Sequence, residues 1–390
     1  EISLGLVGSE MCIRDRDDAI YADESIYEYP MQQGGGNDGR PYSFGRPSSG
    51  GSKAAYPCKS YGQGRINPAY FYGVFDPNDM RRDVSITMTG SNGKGVEKLI
   101  PFVPNSKAEG GGLTLNKWDE NRQANPWVAA QRKSGINGPY MRMSEVYLGY
   151  AEVCAALGDV VTGKQYLKTV RERSFPQGLA NTDAFIASFG NDLVRAIIEE
   201  RGFEYAGEGD RRWTLIRSGY LPEDIKRIKD MTKAMMDGLA TKGYYEFENG
   251  NIISAYIWTK LVDAKTIYGH RLTAQCPTDK VNDPVLYPGW RGQKDNWEEM
   301  GLNYGSSTPA TNLAIKGLFE IVSEEEAASL ESQGYAKVNW GIDLVDYRDE
   351  YDKYLFWDYD YVSAPIYLWP FTPNVMAAGG FTNGYGFKQE

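Results

Sequence analysis

The sequence predicts a predominantly α-helical protein with large irregular loops rich in aromatic residues and a few short strands. Three observations lead to this fold class. Apolar residues recur at helical spacing through residues 139–240. The segments on either side combine many Tyr and Trp residues with Gly, Asn and Pro, which interrupt regular structure. Only short stretches, such as Val84–Thr89 and Ile252–Leu261, alternate between apolar and polar residues as strands do.

The densest helical signal lies in the stretch Asn191–Gly219. Its apolar residues fall three and four positions apart, and Asn191 and Asp192 are candidate N-caps. A second helix is predicted from Arg211 to Arg217, ending at Gly219. The charged residues predict ion pairs between helices rather than a catalytic cluster, because adjacent arginines neutralise carboxylates. This structural set comprises Glu200, Arg201, Glu204, Glu208, Arg211 and Arg217.

Further helices are predicted on both sides of that stretch. Pro139–Gly158 and Thr162–Arg173 form a helix, a tight turn and a second helix. With small residues expected at the crossing, this pattern is typical of a tetratricopeptide-type pair. Pro222–Leu239 continues the helical region, and Ser323–Gly334 begins with a capping box. The small residues are Gly149, Ala151, Ala155 and Ala156.

Composition excludes several function classes. The formal net charge of −10 argues against a nucleic-acid-binding surface, which needs a basic patch. The one histidine, His270, argues against His-based metal sites and Ser–His catalysis. No cofactor, metal site or catalytic residue is therefore predicted. The four cysteines lack CxxC spacing, and a Cys58–Cys276 disulfide is left open.

Aromatic residues give the candidate binding site. The chain has 28 Tyr, 9 Trp and 14 Phe, and many lie among turn-forming residues of the loops. Flat apolar rings beside Asn, Asp and Arg suit ligands such as sugars, whose C–H faces stack on aromatic rings. Four tryptophans in more apolar surroundings are predicted to be structural: Trp213, Trp258, Trp357 and Trp369. The candidate ligand-binding residues are Tyr61, Tyr70, Tyr72, Trp118, Trp127, Trp290 and Trp297.

The helical signature and the chain's tail carry a family resemblance. The signature is Glu200-Arg201, Glu204, Glu208-Gly209, Arg211 and Leu215-x-Arg217. The tail contains an apolar step at Tyr367–Pro370 and an Asn-Gly-Tyr close at 383–385. Together they resemble the SusD/RagB family of nutrient-binding outer-membrane lipoproteins. The chain departs from the family pattern in having Thr214 before the Leu-x-Arg, where Asp is usual.

The resemblance implies one SusD-like domain over residues 17–390. Its expected parts are a loop-rich ligand region (17–138), a helical-pair scaffold (139–240) and an irregular C-terminal region (241–390). The domain is expected to lack its N-terminal helical pairs, and residues 1–16 resemble translated sequencing-adapter sequence. The family is lipid-anchored on the outward-facing surface of the outer membrane, through an N-terminal anchor that this chain is expected to lack.

The resemblance also implies a function. Members of the family bind a glycan or another nutrient without catalysis and deliver it to a SusC-type TonB-dependent transporter. Two alternatives remain open from the residues alone. One is a glycoside hydrolase, since the 52 acidic residues could supply two carboxylates. The other is a protein-interaction scaffold that uses its helical pairs as a groove.

Overall fold

The computed structural model describes residues 24–35, 64–91, 97–102, 111–118, 135–175, 178–263, 311–349, 360, 362–363, 367, 371–380 and 382. Within these residues the predominantly α-helical class is confirmed, whereas the tetratricopeptide-type geometry and the domain division stay predictions. The helices are a π-helix at Tyr70–Val74, α1 Arg81–Ser85, α2 Met143–Ala156, α3 Val160–Glu172, α4 Thr182–Ala187, α5 Leu193–Glu204, α6 Asp210–Ser218, α7 Leu221–Lys242, α8 Glu324–Ser332, α9 Gly341–Asp346 and α10 Pro373–Gly379.

The strands are short and pair in separate small sheets. They are β1 Ser25–Tyr29, β2 Ile86–Thr87, β3 Thr89–Ser91, β4 Glu97–Leu99, β5 Thr114–Leu115, β6 Gly138–Arg142, β7 Tyr244–Glu246, β8 Ile252–Ser254, β9 Tyr256–Asp263, β10 Thr311–Lys316 and β11 Ala336–Asn339. The described pairs are β1 with β6, β2 with β5, β3 with β4 and β7 with β8, all antiparallel. A three-stranded sheet has β9 between β10 and β11.

The helical scaffold packs around an aliphatic core. Leu148 of α2 meets Leu167 and Val170 of α3, and Ile197 of α5 closes the same cluster. The crossing of α2 and α3 depends on Gly163, where an added Cβ would lie 3.0 Å from the carbonyl oxygen of Ala151. The predicted crossing needs correction, because Gly149 faces open space and Ala156 is exposed.

The predicted helices of the stretch Asn191–Gly219 are confirmed. Asp192 caps α5, its carboxylate accepting a hydrogen bond from the Arg195 amide at 3.0 Å. Gly219 ends α6 with a φ of 79°, a left-handed conformation that glycine adopts without a side-chain clash. The capping box of α8 is also confirmed, since Ser323 and Glu326 exchange hydrogen bonds.

A second core is aromatic and surrounds the π-helix. Phe71 and Tyr72 pack with Phe319, Phe247 stacks on Tyr72 with ring centroids 6.0 Å apart, and Trp340 completes the cluster. The sequence from Pro30 to Asp79 predicts neither helix nor strand, because Gly and Pro recur throughout this segment. The structure corrects this prediction at Tyr70–Val74, where burial of the aromatic face stabilises a turn of π-helix despite the surrounding Gly and Pro residues.

Three other predictions change in detail. Residues 139–142 were predicted to begin a helix, but they form β6, which pairs with β1 from Ser25–Arg142 to Tyr29–Gly138. Val84–Thr89 was predicted as one strand, but α1 extends to Ser85 before β2 begins. Trp258 is buried as predicted, whereas Trp213 is 58% exposed on the outer face of α6. Trp357 and Trp369 lie outside the described residues.

The remaining predictions concern the N-terminal segments and the cysteine pair. The acidic, tyrosine-rich sequence Asp17–Tyr29 predicts a short helix or a loop. Its residues Ser25–Tyr29 instead form a strand, because β6 supplies the hydrogen-bonding partner. Residues 1–16 and the Cys58–Cys276 pair lie outside the described residues. None of the helices in the described ranges is both long enough and apolar enough to cross a membrane.

Candidate functional site

Glu204, the last residue of α5, is the centre of a buried ion-pair network. One carboxylate oxygen lies 2.8 Å from Arg142 Nη1 and 2.6 Å from Arg173 Nη2, and the other lies 3.0 Å from Arg81 Nη1. Burial alone would disfavour the charged carboxylate. The arginines outweigh that cost and hold the pKa of Glu204 well below its usual range, so Glu204 is an ion-pair partner and not a proton donor.

The neighbouring glutamates of the stretch are paired in the same way. Glu200 lies 2.7 Å from Arg81 and 2.9 Å from Arg171. Glu208 lies 2.5 Å from Lys117 Nζ and 3.0 Å from Arg142 Nη2. The predicted ion pairing is therefore confirmed. Most of the cations come from other elements of the chain, which the sequence did not reveal as partners.

The predicted arginines of the stretch pair as well. Arg201 Nη2 lies 2.5 Å from Asp210, which joins α5 to the first turn of α6. Arg217 donates to Glu152 of α2 at 2.7 Å. Arg211 belongs to a second cluster, in which its Nη2 donates to Glu199 at 2.7 Å and to Asp224 at 3.0 Å. These contacts fix α6 against α2, α5 and α7.

The second cluster also contains Arg227 and Arg195. Arg227 Nη2 donates to Glu199 at 2.8 Å and to Asp224 at 2.7 Å. Arg195 Nη2 approaches Asp224 at 3.5 Å. Burial opposes ionisation of Glu199, but the three guanidinium groups outweigh it and lower its pKa to about 2.

A cavity of about 400 Å³ lies between the two ion-pair clusters and the segment that contains Ile66 and Tyr70. Its volume falls in the range of small-molecule sites. Aromatic and aliphatic side chains form most of the wall, and the turn between α5 and α6 forms the rest. The residues that line it are Ile66, Tyr70, Ile86, Leu115, Trp118, Gly202, Tyr205, Ala206, Gly207, Glu208, Gly209, Arg211 and Arg212.

Hydrogen bonds to the backbone of α5 and the turn that follows it fix two of the aromatic side chains. The Tyr70 hydroxyl donates to the Gly202 carbonyl oxygen at 3.2 Å, and the Trp118 indole N–H donates to the Gly207 carbonyl oxygen at 3.3 Å. Burial raises the pKa of the Tyr70 phenol, so this hydroxyl stays protonated. Tyr70 begins the π-helix, a form of helix that is frequent at functional sites.

The structure brings together two of the predicted ligand-binding residues, Tyr70 and Trp118. Trp118 is only 2% exposed, so a ligand could contact only the part of its ring that lines the cavity. The assignment of Tyr72 needs correction, because this side chain is fully buried and its hydroxyl accepts from the Trp340 indole at 3.0 Å. The other candidates, Tyr61, Trp127, Trp290 and Trp297, lie outside the described residues.

Several residues of the site were not singled out in the sequence. Tyr205 lines the cavity, and Arg142 and Arg173 hold Glu204. No local signal marked the two arginines, because tertiary packing brings them to Glu204 from other parts of the chain. Among the residues that the structure describes, no group of three or more His, Cys, Asp or Glu side chains is arranged to hold a metal ion.

Comparison with known proteins identifies the family of the chain. A sequence profile of the SusD family matches residues 20–370, well over half of the chain. A SusD-like protein of Formosa agariphila is 28% identical over 160 residues, which are 41% of this chain and 26% of that protein. The chain thus spans about a quarter of the length of this relative.

Solved structures are similar at lower identity. A SusD homolog from Bacteroides thetaiotaomicron is 19% identical with a TM-score of 0.42, over 57% of this chain and 46% of the other. Surface glycan-binding protein A from the same organism, solved in complex with laminarihexaose, is 18% identical with a TM-score of 0.40, over 55% and 47%. The match of the family profile along most of the sequence decides the assignment: this chain belongs to the SusD family.

Proposed function

We propose that this protein binds a glycan or a related nutrient at the cell surface, without catalysis, and delivers it to a SusC-type TonB-dependent transporter of the outer membrane. The observation that carries the proposal is the convergence of Tyr70 and Trp118, from separate loop segments, on one cavity with Tyr205. Membership of the SusD family supports the location, the lipid anchor and the transporter partner as proposals.

The chemistry of the cavity suits a ring-shaped ligand. Tyrosine and tryptophan rings offer flat apolar faces and edges against which the C–H groups of a sugar pack. The same wall carries Glu208, Arg211 and Arg212, which supply hydrogen-bonding groups for hydroxyls. A cavity of about 400 Å³ suits a short segment of a glycan rather than a long one. Tyr61, Trp127, Trp290 and Trp297 remain proposed contacts for the rest of the ligand.

A hydrolytic function finds less support in this cavity. Glycoside hydrolysis ordinarily needs two carboxyl groups on opposite sides of the bond that breaks, one of which must hold a proton. Among the described residues that line the cavity, Glu208 alone has a carboxyl group. Two carboxylates close to it along the chain are engaged in ion pairs, Glu204 with three arginines and Asp210 with Arg201.

Titration calorimetry with a panel of oligosaccharides tests the proposal. We expect saturable binding by the native chain and a loss of affinity of at least about tenfold in Tyr70→Ala and in Trp118→Ala, because each removes a stacking surface. Tyr150→Ala is the matched control, since this tyrosine is 50% exposed on α2 and does not line the cavity. Far-UV circular dichroism of every variant separates loss of binding from loss of fold.

Two results would contradict the proposal. Release of reducing sugar from any glycan of the panel would overturn the non-catalytic assignment. Absence of saturable binding across the panel would favour the protein-interaction scaffold instead. Delivery to a transporter is tested separately, by co-purification of a SusC-type protein from the native membrane.

A further inference from the structure

We infer that the cavity selects a ring bearing a negative charge, such as a sugar with a carboxylate or sulfate group, over a neutral ring of the same shape. This inference rests on the proposed function and names the ligand class of the same site. The charged residues that line the cavity are two guanidinium groups, Arg211 and Arg212, and one carboxylate, Glu208. The cavity wall therefore favours an anion, although the whole chain has a net charge of −10.

The carboxylate on the wall is already shared by two cations. Glu208 accepts from Lys117 Nζ at 2.5 Å and from Arg142 Nη2 at 3.0 Å. A ligand anion near Glu208 would therefore meet a carboxylate whose charge is compensated. The two cations in direct contact with Glu208 offset its negative charge, so Glu208 repels a ligand anion less strongly.

The other side of the cavity has more cations than carboxylates. Arg211 belongs to the cluster in which it and Arg195 and Arg227 share only Glu199 and Asp224. This cluster is largely buried, with Glu199 2% and Arg195 8% exposed. Its donors also outnumber its acceptors, since Arg195 Nη1 and Arg227 Nε have no hydrogen-bond acceptor within the described structure. Of the three arginines, Arg211 lines the cavity, so an anionic ligand that contacts Arg211 would offset part of the positive charge of this cluster.

The turn between α5 and α6 places these charges at the cavity. Gly207 and Gly209 have φ angles of 82° and 93°, which turn the chain so that the first turn of α6 follows the wall. Arg211 and Arg212 are the second and third residues of that helix. The partial positive charge of a helix N-terminus adds to the two guanidinium groups in the same region.

The aromatic walls explain why the anion should be carried on a ring. Tyr70 and Trp118 direct their polar atoms to backbone carbonyls, so they present mainly carbon to the cavity. A free inorganic anion would leave that apolar surface without a contact. A uronic acid or a sulfated sugar matches both parts, because its C–H face packs on the rings and its charged group accepts charge-assisted hydrogen bonds from arginine.

Calorimetry with matched trisaccharides tests this inference. The probes are trigalacturonate, its fully methyl-esterified form and a sulfated galactose trisaccharide. The first two share the same sugar rings, and the ester replaces each carboxylate with an uncharged methyl ester. We expect trigalacturonate or the sulfated sugar to bind at least about tenfold more tightly than the ester, with the advantage shrinking at high salt. Which of the two anionic sugars binds more tightly identifies the anionic group.

Variants of Arg212 test whether this guanidinium group produces the preference for the acid over the ester. Arg212→Gln should bring the affinity for the acid down to that for the ester, and Arg212→Lys should restore a large part of the difference. Arg217→Gln is the matched control on the same helix, because Arg217 pairs with Glu152 at the surface and should leave the preference unchanged. Urea denaturation of each variant shows whether the fold is retained, and Arg212→Lys keeps the test informative if Arg212→Gln does not fold.

The failure of this inference differs from failure of the proposed function. Equal affinity for the acid, the sulfated sugar and the ester would overturn the preference while leaving glycan binding intact. Binding of neutral glycans alone would do the same. If the native chain bound no glycan of either kind, the proposed function itself would fall.

Discussion

At the scale of the residue, several buried carboxylates each contact more than one arginine. Glu204 alone contacts Arg81, Arg142 and Arg173, which come from three separate parts of the chain. Each of those arginines was desolvated when the chain folded, so each depends on the glutamate to offset that cost. A single uncharged substitution at Glu204 therefore removes one carboxylate from three buried cations at once, and leaves each of them only its remaining pairs with other carboxylates.

We predict that Glu204→Gln lowers the free energy of unfolding by about 3–5 kcal/mol, because it removes a buried carboxylate that three buried guanidinium groups share. Urea denaturation followed by circular dichroism measures the change. The matched control is Glu152→Gln, which breaks the pair with Arg217, a residue whose side chain is 48% exposed. Surface pairs contribute at most about 1 kcal/mol. If both variants lost the same small amount, the network around Glu204 would not stabilise the fold.

Glu199 predicts a pH dependence of stability. Its pKa in the folded protein is about 2, below the ordinary 4.5, because the adjacent arginines outweigh the effect of burial. The ionised form therefore stabilises the fold at pH values above 4.5, and that contribution is lost as pH falls from 4.5 towards 2.

The measurement compares native protein with Glu199→Gln, which cannot titrate at this position. Unfolding free energies between about pH 6 and about pH 3 should fall more steeply in the native protein than in the variant. The slopes of the two profiles should differ most at the acidic end of this window, where the unfolding free energy of the native protein approaches that of the variant. Parallel profiles would contradict the assignment of a lowered pKa to Glu199.

At the scale of the element, the crossing of α2 and α3 depends on one glycine. An added methyl group at Gly163 would lie 3.0 Å from the Ala151 carbonyl oxygen and 3.2 Å from the Ala155 amide nitrogen. We predict that Gly163→Ala destabilises the protein by about 1–3 kcal/mol, since the helices must separate. Thermal or urea denaturation measures this change.

Gly149 provides the matched control on the partner helix. A Cβ at this position meets nothing within 4 Å. Gly149→Ala should therefore stabilise the protein by about 0.5–1 kcal/mol, because alanine loses less conformational entropy in a helix. Opposite signs for the two substitutions are the decisive outcome. Destabilisation by both would show that the crossing extends to Gly149.

Helices were predictable from sequence to the extent that their signals are local. The capping residues Asp192 and Ser323 and the terminal Gly219 all mark observed helix ends. β1 was not predictable, because its partner β6 lies more than 100 residues away along the chain. The π-helix at Tyr70–Val74 was missed for a similar reason: its stability comes from burial against Phe247 and Phe319 and not from helix propensity.

The candidate site was predictable only in part. Tyr70 and Trp118 were identified as aromatics in polar loops, and both line the cavity. The same reasoning selected Tyr72, which is two residues from Tyr70 but belongs to the core. Sequence alone could not separate them, because a π-helix changes which side chains face the same direction. The convergence of Arg142 and Arg173 on Glu204 is likewise a product of tertiary packing.

At the scale of the whole molecule, α5 connects the two cores. Ile197 belongs to the aliphatic cluster of the helical scaffold, whereas Phe203, nearer the end of the same helix, belongs to the aromatic cluster. Phe185 packs against both clusters. The glutamates of α5 lie at this junction, so the ion-pair network joins scaffold and loops into one unit.

The outer surface of the helical scaffold carries a group of exposed apolar side chains. Many of the exposed large apolar side chains fall on α2, the turn that follows it and the start of α3. Among them, Leu157 in the turn and Val161 in α3 are each 82% exposed. A contiguous apolar surface of this kind promotes association in water. The others on these elements are Val146, Tyr150, Val153 and Val160.

We predict that the double variant Leu157→Gln, Val161→Gln reduces concentration-dependent association, measured by sedimentation velocity. Its unfolding free energy should stay within about 0.5 kcal/mol of the native value, because neither side chain is part of a core. The matched control is Ile321→Gln, Val362→Gln, which removes two apolar residues that are 50% and 53% exposed elsewhere on the surface. The control should leave association unchanged, since these residues belong to other elements. Equal effects of both double variants would show that total surface hydrophobicity drives association, and not the face formed by α2, its following turn and the start of α3.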